Sequence, residues 1–266
     1  MIIDVVMAAR DEGSTVAANV VAAAGCAHVR RVIVVDDGSS DDTAARAAAA
    51  GAVVVDLAGS GGSKARAMSA GVASTEAEAI LFVDADCTAL TAAHLDAVCE
   101  PFLAGRAVMS IGAFDYGPLL NWLVLHCPPL SGERIVPRWV FEAIPPHHLD
   151  GYTIEVRLNE VLCEARLPMS VRTMPGVYHR TKRDKHGRAE GLRRTWSMYR
   201  ALLSMLPPLG DVRWRTYWFY LRHTTIEPPR HAPCAPCDRW HIGRGRSARF
   251  STTVPVSEQG DDHGHR

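Results

Sequence analysis

The chain has no surplus of charge: its 29 Lys and Arg equal its 29 Asp and Glu. Nothing global therefore points to nucleic acid or a strongly acidic partner. No apolar run reaches the roughly 18–20 residues needed to cross a bilayer. No secretory signal is visible, because Asp4, Arg10, Asp11 and Glu12 interrupt the N-terminus. Cysteine is sparse and odd in number, with seven residues at Cys26, Cys87, Cys99, Cys127, Cys163, Cys234 and Cys237. Most sit among apolar neighbours, which does not suit a disulfide framework. Internal repeats are absent as well. The expectation is a reduced, cytoplasmic protein, soluble or peripheral to a membrane. With 47% apolar and 22% charged residues, wholesale disorder is excluded.

The 266 residues suffice for one large domain, or a domain and a tail. Residues 1–150 carry 9 basic against 18 acidic side chains, and residues 151–266 carry 20 against 11. That polarity suits a site holding a metal on one side and phosphate on the other. Short β-branched or apolar runs at Ile2–Ala9, Arg31–Val35, Ala52–Leu57 and Ala79–Val83 alternate with helical stretches at Ser14–Ala24, Ala44–Ala50 and Lys64–Ala73. Ser14 or Thr15 would cap the first helix. Uninterrupted apolar strands between helices predict an α/β protein with a doubly wound, mostly parallel sheet, each strand buried on both faces. Ligands of such sheets lie outside the carboxyl ends of the strands, where the polar clusters after the first, second and fourth runs fall. Farther on, Leu95–Leu103 reads as a helix, Val108–Phe114 as a strand and Tyr116–Leu130 as an apolar core segment. Ser131–Arg134 and His147–Glu155 read as loops around a short helix, and Tyr152–Ala165 as a helix.

Asp84-Ala85-Asp86 ends the fourth strand run. Two carboxylates one residue apart on a turn can converge on one hard cation, and Mg²⁺ or Mn²⁺ suits such oxygen ligands. A solvated acidic turn reads the same way. Asp36-Asp37-Gly38-Ser39 follows the second strand. A carboxylate there can accept hydrogen bonds from a base or ribose, while Ser40, Asp41 or Asp42 caps the next helix.

Taken together, Ala9-Arg10-Asp11-Glu12, Val34-Val35-Asp36-Asp37-Gly38-Ser39-Ser40-Asp41-Asp42-Thr43, Lys64-Ala65 and Phe82-Val83-Asp84-Ala85-Asp86 resemble the family 2 glycosyltransferases of GT-A fold. The resemblance implies a nucleotide-diphosphate sugar donor, UDP- or GDP-linked, and a Mg²⁺ or Mn²⁺ cofactor. Donor contacts would come from Ala9, Arg10, Glu12, Asp36, Asp37 and Gly38, with Lys64, Asp84, Ala85 and Arg180 toward the phosphates. Asp86 would hold the metal, with Asp84 neighbouring it. Two positions depart from the family: Ala8 stands where Pro is common, and Ser63 where Gly often precedes the Lys. In the second half, Ser131-Gly132-Glu133-Arg134, Gly151-Tyr152-Thr153-Ile154-Glu155-Val156 and the segment Gly176–Gly187 are similar to two subgroups. One makes polyprenyl-phosphate sugars, and the other transfers glucose to 3-phosphoglycerate. Both imply a phosphate-bearing acceptor, with contacts at Ser131, Gly132, Arg134, Tyr152, Lys182 and Lys185. The second implies His179 as a further metal ligand. Inversion is the family's usual outcome, and the phosphoglycerate-like features leave retention open.

Seven Lys and Arg between Tyr178 and Arg194, against Asp184 and Glu190, independently suit an anionic acceptor or departing diphosphate. They lack the interleaved aromatics of a nucleic-acid groove. A hydroxyl acceptor would need a carboxylate base, for which Glu155, Glu133 and Asp150 are candidates; a phosphate acceptor would not. For Glu155 a helix-surface salt bridge is the other reading. Leu192–Leu206 and Arg213–Tyr220, with basic residues between Trp and Tyr, suit a membrane interface, and equally domain packing or a homodimer face. Cys234-Ala235-Pro236-Cys237 lacks the second pair expected of a zinc site. The domain expectation is 1–227, split at residue 90 into donor and acceptor halves, with 228–266 as a flexible tail. Two other functions use similar parts. One is a sugar-phosphate nucleotidyltransferase, whose usual Gly-rich basic loop is absent here; the other is a non-catalytic binder of sugar nucleotide or lipid phosphate.

Overall fold

The computed structural model describes residues 1–57, 63–126, 131–149, 154–179 and 214–229. The chain divides into Met1–Pro236 and Cys237–Arg266. The second unit lies outside the described residues, as do Leu192–Leu206 and the Cys234/Cys237 pair.

The four apolar runs become β1 (Ile3–Ala9), β2 (Val29–Asp36), β3 (Val53–Asp56) and β4 (Ala79–Phe82). All four are parallel, with β1 between β2 and β4. The intervening helices are α1 (Val16–Ala24), α2 (Thr43–Ala49) and α3 (Lys64–Ala73). Ser63, the departure from family usage, caps α3 by accepting from the Arg66 amide. Asp41 accepts from the Thr43 amide at the start of α2, while Asp42 pairs with Arg46. β3 is not buried on both faces as expected. It is the sheet's last strand, and Val53 is 47% exposed.

The second half adds β5 (Cys87–Thr88), α4 (Ala92–Leu103), β6 (Met109–Ala113), α5 (Pro118–Leu125), β7 (Arg134–Pro137), α6 (Arg138–Glu142), α7 (Ile154–Glu164), β8 (Met169–Thr173), β9 (Tyr178–His179), α8 (Trp214–His223) and β10 (Thr224–Glu227). The eight-stranded order is β10-β8-β6-β7-β4-β1-β2-β3. Only β7 runs antiparallel to its neighbours. Of Ser131–Arg134, read as loop, Ser131–Glu133 lie outside the strands and only Arg134 enters β7. Phe82 pairs with Arg134, so Ser131, Gly132 and Glu133 enter at the edge where β4 ends. α5 also departs from expectation: Leu120 and Trp122 are exposed rather than core. Among the described residues no helix is long and apolar enough to cross a membrane.

Successive strand residues serve opposite faces. Val5, Met7 and Leu81 pack with Val16, Val20, Leu95 and Val98 on one side. On the other, Val6, Ile80 and Phe82 pack with Met68, Val140, Leu158 and Tyr220. Among the described residues, helices thus pack against both faces of the sheet.

The opposite edge is closed by an ion network. Asp4, fully buried at the start of β1, accepts from Arg30 Nε at 2.9 Å and Nη2 at 2.7 Å, from Arg31 Nε at 2.9 Å and from Thr75 Oγ1. Burial pushes its pKa up, but the bonds from Arg30, Thr75 and Arg31 outweigh burial and hold it below the ordinary value. A depressed folded pKa contributes stability that is complete above the unfolded value near pH 4 and is lost as acid titrates the folded carboxyl. Asp4→Asn is expected to cost about 2 kcal/mol at pH 7. This is below the usual figure for a broken buried pair, because both arginines can regain water. Urea denaturation of parent and variant at pH 7 and pH 3 checks it, and the gap should narrow in acid.

Candidate active site

The loops after β1 and β2 are tied together. Asp37 N donates to Ala9 O, Asp11 N to Ser39 Oγ, Ser40 N to Asp11 Oδ1, and Glu12 N to Thr43 Oγ1. Gly38 takes φ +73° at the turn, a conformation that carries no Cβ penalty in glycine. The two neighbouring aspartates differ sharply. Asp36 Oδ1 accepts from both the amide and the hydroxyl of Ser39. Asp37 is 6% exposed, and its Oδ1 is buried with no hydrogen-bond donor among the described residues. Burial first, opposed by Arg10 and reinforced by Asp36, raises the Asp37 pKa. A buried acceptor without a donor is costly in a protein interior.

Across the end of β1, about two strand spacings or 10 Å away, lies the Asp84–Asp86 turn. Lys64 Nζ sits 2.6 Å from Asp84 Oδ1 and 2.6 Å from Glu155 Oε1. Desolvation lowers the lysine's pKa, but the charges of Asp84 and Glu155 override it and leave the ammonium well above its ordinary value. Glu155 is therefore a buried acid group at the start of α7, not a helix-surface one.

β7 supplies the other wall. Glu133 is fully buried. Its Oε1 accepts from Asp84 N at 3.2 Å and Cys87 Sγ at 2.9 Å, and its Oε2 from Ser131 Oγ at 2.6 Å. Burial, then Glu133 and Asp84, raise the Cys87 pKa well above normal and keep the thiol a donor. Arg134, also fully buried, reaches back to Ser131 O, Glu155 O and Asn159 Oδ1. Gly132 lies against Asp84, where a Cβ would collide with both carboxylate oxygens.

Ala9, Arg10, Glu12, Asp36, Asp37 and Gly38 thus share one corner. Lys64, Asp84, Ala85, Asp86, Gly132, Glu133 and Glu155 share the other, while Ser131 and Arg134 are turned into its wall. The antiparallel β5–β9 pair sets position 179 opposite Cys87, one residue past Asp86. Asp150, Tyr152, Arg180, Lys182 and Lys185 lie outside the described residues. Among the described residues no group of three or more His, Cys, Asp or Glu is arranged as a metal site. The donor set nevertheless fits a hard divalent cation. Asp84 and Asp86 supply the hard carboxylate oxygens such an ion takes, and glycine at 132 keeps a side chain off Asp84.

Three contributors were not read from the sequence. Asn19, 1% exposed, donates to Ala85 O at 2.9 Å and Cys87 O at 3.0 Å. Thr15, expected as a helix cap, makes no side-chain cap bond and donates to Ala85 O at 2.8 Å instead. Cys87 is the third. Asn19 had a signal: it stands in the apolar stripe Val16, Val20, Ala23 of α1, where a buried amide needs polar partners.

Gly132→Ala is expected to force Asp84 from its place and to cost about 1–3 kcal/mol, as overpacking does. In a double-mutant cycle with Asp84→Ala, thermal unfolding should show the pair losing less than the sum, since the clash partner is gone.

No curated protein sequence matches the chain. Solved structures of similar shape include glucosyl-3-phosphoglycerate synthase from Mycobacterium tuberculosis in complex with Mn²⁺, uridine-diphosphate and phosphoglyceric acid. That chain is 23% identical, with a TM-score of 0.63, and the match covers 80% of this chain and 80% of that one. The same synthase with Mn²⁺, uridine-diphosphate-glucose and phosphoglyceric acid is 24% identical, with a TM-score of 0.61, and the match covers 77% and 78%. These likenesses establish the fold. Residues 4–144, more than half of the chain, match the family described as Glycosyl transferase family 2. The chain belongs to glycosyl transferase family 2, and it is a glycosyltransferase of GT-A fold.

Proposed function

We propose that the protein transfers a sugar from a uridine-diphosphate-linked donor to a phosphate-bearing acceptor, with Mg²⁺ or Mn²⁺ as cofactor. The observation that carries this reading is the pairing of two unlike acid sites across the end of β1. On one side Asp37 offers a buried, unengaged acceptor; on the other lies the Asp84–Asp86 turn. A nucleoside donating to Asp37 Oδ1 would send its diphosphate toward Asp84 and Asp86. The structures of similar shape that hold Mn²⁺, uridine-diphosphate-glucose and phosphoglyceric acid support the same donor and acceptor classes.

Asp86, Asp84 and His179 are the residues that would hold the metal, which when bound offsets the charge gathering on the departing diphosphate. Lys64 keeps Asp84 and Glu155 in place and sets a cation beside the phosphates. The Ser39 bonds fix Asp36 so that the turn presents Asp37 rather than Asp36 to the nucleoside. Arg180, Lys182 and Lys185, in the basic segment, would bind the acceptor phosphate. Tyr152, just before α7, would add a contact to the acceptor. A phosphate oxygen needs no base; for an acceptor that attacks through a hydroxyl, Glu155, 2.6 Å from Lys64, would orient it.

Thermal unfolding with UDP-, GDP- and dTDP-sugars, with and without Mn²⁺, tests the donor reading. A ligand at about 100 times its Kd stabilises by about 2.7 kcal/mol, so the UDP-sugar with Mn²⁺ should raise Tm most. Asp86→Ala should lose the Mn²⁺-dependent part, and Asp37→Asn should weaken the UDP-sugar at least tenfold. Release of UDP on adding a phosphate-bearing acceptor then identifies the transfer. An Asp86→Ala protein whose Mn²⁺-dependent rise equals the parent's would overturn the metal assignment.

A further inference from the structure

The Asp84–Asp86 turn is anchored along its backbone from both sides. From α1, the Thr15 hydroxyl and the Asn19 amide converge on Ala85 O at 2.8 and 2.9 Å, and Asn19 also reaches Cys87 O at 3.0 Å. From β7, Glu133 Oε1 takes the Asp84 amide at 3.2 Å and the Cys87 thiol at 2.9 Å. The anchored atoms thus belong to residues 84, 85 and 87, and the carboxylates of Asp84 and Asp86 are set by a backbone that other side chains hold.

Resting on the metal-dependent reading above, we propose that Glu133, Asn19 and Thr15 are positioning residues that preset the turn for the cation, and that Glu133 is not the proton acceptor. Three facts argue for this. Glu133 has no exposed surface, and both of its oxygens receive donors from the turn or from Ser131. A base must come within hydrogen-bond reach of the proton that it takes, and a carboxylate sealed behind the turn has no such reach. Asn19 is buried in a helix face otherwise made of valine and alanine, and its amide hydrogens go to two carbonyls of the same turn. Groups behind metal ligands typically set metal affinity by about 10–100-fold.

A glutamine at 133 can keep this geometry. Its carbonyl replaces Oε1 as acceptor, and its NH₂ can donate to Ser131 Oγ, whose own hydrogen then goes to Gly112 O, already in contact with it. An alanine cannot. The experiment measures Mn²⁺ affinity in the presence of UDP by electron paramagnetic resonance of the free ion, melting of the metal-free protein, and UDP release. Thr15→Val, Asn19→Leu and Glu133→Ala are each expected to weaken Mn²⁺ at least tenfold at a temperature well below their melting points. Glu133→Gln should restore both Mn²⁺ affinity and turnover to within about fivefold of the parent. A purely structural role would lower the melting temperature without moving Mn²⁺ affinity.

A greater loss of turnover in Glu133→Gln overturns the assignment of Glu133, and parent-like Mn²⁺ affinity in Thr15→Val and Asn19→Leu overturns that of α1. Thr15→Val and Glu133→Gln preserve shape and decide the matter if the other two do not fold. A parent protein that shows no Mn²⁺-dependent UDP binding would instead sink the proposed function, which separates the two failures.

Discussion

One ammonium group shared between a partly buried and a buried carboxylate joins the parts of the site. Lys64 begins α3, Asp84 follows β4 and Glu155 opens α7, and the lysine lies 2.6 Å from each acid. Acid groups crowded at strand ends repel one another and lose hydration as the helices close over them. A cation at their midpoint makes that crowding tolerable, and it links the sheet's two halves at the edge where the ligand must bind. The long-range order of the site therefore rests on electrostatics, whereas the strands beneath it rest on apolar packing.

This division explains what the sequence could and could not reveal. β1, β2, β4 and α3 were legible because strands buried on both faces are unbroken apolar runs, and because Lys64–Ala73 has strong helix formers behind a serine cap. β7 was not. Four residues, Arg-Ile-Val-Pro, begin with a charge and end with a proline, and only pairing with Ala79–Phe82 on one side and with Ser110 and Ile111 on the other makes them a strand. β3 misled for the reverse reason: its valines look like core, but nothing lies beyond it in the sheet. Propensity reports the strand and stays silent on its place in the order.

The same limit holds at the site. The acid clusters stood out by their shared place at strand ends and their order along the chain, although each alone also reads as a solvated or capping turn, and the sequence did not rank Asp36 against Asp37. In the fold, Ser39 turns back at Gly38 onto Asp36, while Asp37 Oδ1 has no donor among the described residues. Asn19 was overlooked although a lone amide in an apolar helical stripe is itself a sign of a polar appointment elsewhere in the fold. Residue type showed which chemistry was present; the spatial neighbours determined which copy of each residue was still available for it.

The direction of β7 carries a consequence for how such a protein can vary. A strand inserted head-down delivers its leading residues to the reactive edge and its trailing end, through Arg138 and the Thr75 carbonyl, to the base. Between Ser131 and Pro137 each side chain has an appointed face, with Ile135 in one apolar layer and Val136 in the other. A single-residue deletion there would invert that threading, trading glycine for a bulkier neighbour against Asp84. An insertion or deletion would thus be tolerated better in the stretches flanking this short strand, which acts as a ruler between the two edges of the sheet.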